Sequence, residues 1–101
     1  MATGGKRDEI DAKIREWERE LERVRVALAR APEPVHHRYY QNFVELYGNK
    51  EVVKSRWEAV RGVYQPEAAA VHAFEGALSV METAWRAAQP MLDEVLKPQA
   101  A

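Results

Sequence analysis

The chain has 101 residues, 47% of them hydrophobic and 31% charged, with five glycines and five prolines; that is one domain's worth of chain, too apolar for disorder and too poor in turn residues for a many-stranded sheet protein. Fifteen Lys and Arg oppose sixteen Asp and Glu, for a formal charge of −1, so no net field draws nucleic acid or an acidic membrane. The absence of cysteine excludes disulfides, thiolate metal sites and cysteine nucleophiles, and the polar opening from Met1 to Lys6, with no apolar window near the roughly 18 residues of a membrane span, predicts a cytoplasmic protein.

Periodicity predicts three helices. In the first, over about residues 6–31, Ile10, Ile14, Trp17, Leu21, Val24, Leu28 and Ala31 recur at alternating spacings of 4 and 3, the pattern of a coiled-coil seam. Most other positions are charged. Glu9–Lys13 and Asp11–Arg15 are opposite pairs four residues apart, and Glu16–Arg19, Glu20–Arg23 and Glu22–Arg25 are three apart, each worth a few tenths of a kcal/mol, about 0.2–0.5. The expected result is a solvated helix with one dry stripe, ended by Pro32 and Pro34.

The second helix is expected over about residues 35–64, with a seam of Tyr39, Phe43, Leu46, Lys50, Val53, Trp57, Val60 and Tyr64. Lys50 has the wrong chemistry for a seam and is expected to snorkel outward. Beside the seam run Tyr40, Val44 and Tyr47, then Val52, Ala59 and Val63, and apolar residues on two sides call for two partners. Gly48-Asn49 suits a helix end followed by a new cap; the seam keeps its phase through the pair, which favours one continuous helix with a possible kink or break there.

The third helix is expected over about residues 66–96, opening at Pro66. Its seam is Val71, Phe74, Leu78, Met81, Trp85, Ala88, Leu92 and Val95, flanked by Ala70, Ala73, Ala77, Ala84 and Ala87. Pro90 should kink it near residues 86–90. From Pro66 to Leu92 only four formal charges occur, so this helix should be enclosed by its own chain or covered by another copy. Together these segments predict an all-α fold, a single elongated antiparallel three-helix bundle with coiled-coil-like heptads, completed by self-association.

Chemistry is thin. Glu33-Pro34-Val35-His36 spells the Glu-x-x-His of carboxylate-bridged metal bundles, and His72 and Glu75, three apart, are the one comparable pair. But Glu33 sits between prolines, and solvated histidines are the expected outcome. The aromatic row Tyr39, Tyr40, Phe43, Tyr47, Trp57, Tyr64 could stack bases, yet it lacks a basic groove. Glu75 and Glu82 are seven residues apart, about 10.5 Å along a helix, too far for a coupled dyad. No phosphate loop or nucleophile triad occurs, so neither an enzyme nor a cofactor is expected.

The stretch Lys6-Arg7-Asp8-Glu9-Ile10 followed by a charged heptad helix bearing Trp17, together with Ala84-Trp85-Arg86-Ala87-Ala88 near the end, resembles a loose group of short bacterial coiled-coil and helical-bundle proteins of unknown function. The resemblance covers the first helix and a patch of the third, and implies a helical, self-associating protein. The expected function is a non-enzymatic interaction or scaffold module, a homo-oligomer and most simply a dimer, docking a partner helix through Tyr40, Val44, Tyr47, Trp57, Met81 and Trp85. The alternative is a bundle binding a small ligand, metal or lipid through the same aromatics.

Overall fold

The computed structural model describes residues 2–97, with side chains described from Lys6 onward. Among the described residues there are four helices and no strand: α1 (Ala2–Arg30), α2 (Glu33–Arg61), α3 (Ala68–Ala87) and α4 (Gln89–Leu96). The shape is long and thin, 53 × 24 × 18 Å with a radius of gyration of 15.9 Å, against about 13 Å for a compact chain of this length.

The α1 stripe is the spine. Ile14, Trp17, Leu21, Val24 and Leu28 are all at most 5% exposed, and they divide between two clusters. Ile14 and Trp17 pack with Val53 and Val60 of α2 and Phe74 and Met81 of α3. Leu21, Val24 and Leu28 pack with Phe43 and Leu46 of α2 and Met91, Leu92 and Val95 of α4. Trp85 packs against both clusters, its ring 6.3 Å from that of Trp17. Both long helices thus run the length of the molecule, while α3 and then α4 supply the third wall.

Pairing directions follow from side-chain contacts. Asp11 meets Arg61, Glu18 meets Lys54 and the Leu28 carbonyl meets His36, so α1 and α2 run in opposite directions. The linker between them is two residues, Ala31 and Pro32. Its tightness is possible because the Pro32 carbonyl accepts the backbone N–H groups of Val35 and His36, each at 3.0 Å, satisfying donors that a helix start leaves open.

The backbone fixes the places that the sequence left open, and some helix ends differ from expectation. α2 passes unbroken through Gly48-Asn49, since no glycine of the described residues takes a positive φ and buried Leu46, Lys50 and Val53 bracket the pair. α2 stops at Arg61, not Tyr64, with Gly62 as its C-cap; Tyr64 therefore leaves the seam and is 93% exposed. α3 begins at Ala68 rather than Pro66, because Glu67 is extended (φ −63°, ψ 144°) and its carbonyl accepts the first turn's Ala70 and Val71 N–H groups. The bend expected near residues 86–90 divides the third segment at Ala88, where hydrogen bonds from Ala88 N–H to Ala84 and from Leu92 N–H to Ala88 (2.9 Å each) carry the helix past Pro90.

The seam register predicts a contrast. Met81 is wholly enclosed, so Met81→Ala should cost about 2–4 kcal/mol in urea denaturation. Tyr64→Ser should stay within about 0.5 kcal/mol, a loss it could not show if Tyr64 belonged to the core.

Candidate functional site

Tyr40, Val44 and Tyr47 are 49%, 40% and 45% exposed, but they are not a free stacking platform. His36 stacks on Tyr40 with ring centroids 5.1 Å apart and planes at 19°. Tyr40 then meets Phe43 at 6.4 Å, and Phe43 meets Tyr47 at 6.0 Å. The ladder ends where the Lys50 ammonium lies over the Tyr47 ring, 4.1 Å from its centroid, a cation–π contact.

Lys50 is the largest departure from expectation. Instead of snorkelling it is 3% exposed, its ammonium bonded to Glu51 and 3.7 Å from Glu18. Two carboxylates and an aromatic face replace the water it gives up, which is what a buried charge requires. The ion pair holds the Glu51 carboxyl below its ordinary range, through the Lys50 hydrogen bond first. Glu18 also accepts from Lys54 at 2.9 Å, so one α1 carboxylate clasps two α2 lysines.

A second clasp lies at the other end of α2. Asp11 Oδ1 accepts from the Trp57 indole N–H (2.8 Å) and from Arg61 Nε (2.9 Å), while Oδ2 accepts from Arg61 Nη2 (2.6 Å). The Arg61 hydrogen bond, then that of Trp57, lowers the Asp11 carboxyl to about 2. Asp11 thus turns to α2 rather than to Arg15, and Lys13 reaches Glu82 of α3 at 2.6 Å rather than Glu9. The local pairs Glu20–Arg23 and Glu22–Arg25 do form.

The residues expected to dock a partner separate into three situations. Met81 is 0% exposed and cannot meet a partner; α1, α2 and α3 enclose it. Trp57 and Trp85 are half-buried, one engaged by Asp11 and the other by Trp17. Tyr40, Val44 and Tyr47 remain at the surface, on the flank of α2 that faces α1. Val52 lies five residues beyond Tyr47, about 140° around the helix at 3.6 residues per turn, and lines the opposite groove with Ala73, Gly76 and Val80 of α3. The apolar surface of α2 is therefore two patches, not one.

The metal candidates do not converge. The His36 ring nitrogen Nδ1 donates to the Leu28 carbonyl at 2.9 Å, closing the last turn of α1. Glu33 is exposed. His72 and Glu75 stand 3.8 Å apart and are 82% and 63% exposed. His72 sits beside Val52 and Arg56 of α2, about 24–30 Å along that helix from His36 by helical rise. Among the described residues no three His, Asp or Glu side chains gather at an ion-binding distance, and no helix is long and apolar enough to cross a membrane. Comparison with protein-family models, curated proteins and solved structures finds no match to this chain.

Two predictions follow from the clasps. The lowered Asp11 pKa stabilises the fold above the unfolded value of about 3.8, and that contribution disappears as pH falls through about 2. Because Arg61 is 47% exposed, solvent screening limits it to roughly 1 kcal/mol. Asp11→Asn should remove it at pH 7 and flatten the fall in thermal midpoint between pH 4 and 2. Lys50→Met, which keeps the stem and drops the charge, should be neutral or stabilising. Lys50→Ala, which leaves a cavity, should lose about 1–3 kcal/mol in the same denaturation assay.

Proposed function

We propose that this chain is a non-enzymatic helical interaction module, an elongated antiparallel three-helix bundle with heptad packing that pairs with a second copy of itself through the outer face of α3 and the adjoining edge of α2. The observation that carries this reading is a second heptad row on α3. Ala69, Ala73, Gly76, Val80, Thr83 and Ala87 recur at spacings of 4, 3, 4, 3 and 4, and every one is exposed. Val80 is 57% and Val52 47% exposed, making an apolar centre in a row of small residues.

The glycines support it. Gly48 and Gly76 both lie inside helices, where glycine costs about 1 kcal/mol relative to alanine. A Cβ at either would meet nothing within 4 Å, so no packing inside the chain requires them. Close approach of another helix backbone would.

A two-fold antiparallel pairing centred near Val80 sets the rows of the two copies against each other and leaves Glu75 and Arg86, each more than about 100° around α3 from Val80, outside the contact. A metal or cofactor has no place in this reading, and the tyrosine ladder, whose ring contacts all lie within α2, stays outside the pairing surface.

Analytical ultracentrifugation at tens of micromolar should give a dimer, and Val80→Glu should give a monomer of unchanged helicity. A monomeric wild-type chain would overturn the reading.

A further inference from the structure

The end of the molecule opposite α4 is open. There the first turns of α1, the last turn of α2, the 62–67 connection and the start of α3 surround a cleft of about 740 Å³, within the range of small-molecule sites. Its floor is the unsealed end of the first core cluster. Phe74 is buried, and Ile10, Trp57 and Val71 are half-exposed, with the Trp57 and Phe74 rings 4.9 Å apart at 36°.

Polar groups at the mouth are unequal. Arg61 is held by Asp11, and Glu75 leans toward His72 on the α3 side. Lys6 and Arg7 line the cleft from α1, are exposed, and among the described residues have no carboxylate within 4 Å. An apolar floor beneath two unengaged cations is complementary to one kind of molecule: an apolar body with a single anionic head.

We propose that this cleft binds a free single-chain alkyl carboxylate, its chain over Trp57 and Phe74 and its head between Lys6 and Arg7. The Asp11 clasp gives the site rigidity, since it holds the Trp57 ring in place through its indole N–H. The site lies away from Val80 and stands apart from the pairing surface, so each proposal can fail alone.

The test is titration of the purified full chain with octanoate, decanoate and dodecanoate below their micelle concentrations, followed by proton–nitrogen correlation spectra. The Trp57 indole N–H signal should move while those of Trp17 and Trp85 stay in place. Affinity should rise about twofold to fourfold per added methylene, the range for partial to full burial of each group. Lys6→Glu with Arg7→Glu, both at exposed positions, should weaken dodecanoate about tenfold or more with helicity unchanged. Val80→Glu should bind as wild type does. The proposal is overturned by an unmoved Trp57 signal, by equal binding of dodecyltrimethylammonium, by an affinity that ignores the two charge reversals, or by binding only to vesicles of anionic phospholipid.

Discussion

Everything in this molecule hangs on one narrow apolar stripe along α1. Its five buried residues touch both core clusters, and they are the common ground on which α2 along its whole length and α3 and α4 in succession assemble. The stripe is narrow because the rest of α1 is charged. A narrow stripe can bury one side of each neighbour and no more, so α2 and α3 keep apolar surface that the chain alone does not cover. Val52 and Val80 are the visible remainder.

The charged flanks of that stripe hold the helices in register. Asp11 binds Trp57 and Arg61, Glu18 binds Lys54 and approaches Lys50, and Lys13 binds Glu82. Exposed ion pairs contribute little stability; their value here is positional, since each works at one sliding position of α1 against its neighbours. The buried Lys50 is the extreme case. Its cost in desolvation is offset only when Glu18, Glu51 and the Tyr47 ring all surround it, so a slipped register strands a charge.

The helices and the α1 stripe were legible from periodicity, because alternating 3 and 4 spacing reports which side of a helix is dry. Periodicity does not report which partner dries it. Lys50 sat in the seam and was read as outward-pointing, since nothing local reveals Glu18 of α1 thirty-two residues earlier. Tyr64 kept the spacing but lost the helix, as Gly62 and the extended Glu67 end the regular backbone on either side of it. Asp11 had a well-placed local mate in Arg15 and took a distant one in Arg61, where an indole N–H adds a further hydrogen bond. His36 read as half of a metal motif and closes the end of α1 instead. Of the alanines beside the α3 seam only Ala73 and Ala87 belong to the exposed row, while Ala70, Ala77 and Ala84 pack against the core; the row at 69, 73, 76, 80, 83 and 87 stands out once Val71, Phe74 and Met81 are known to face inward.

That outward row is the claim on which the functional account rests, and the lack of native cysteine allows one direct measurement of it. Val80→Cys placed at the centre of an antiparallel pairing should bring two thiols within the 4.4–6.8 Å Cα separation, roughly, that a disulfide spans. Mild oxidation should then convert the protein to a covalent dimer on a non-reducing gel, while Tyr40→Cys, on the other flank of α2, stays monomeric. Cross-linking through Tyr40→Cys with none through Val80→Cys would place the contact on the tyrosine ladder and contradict the account.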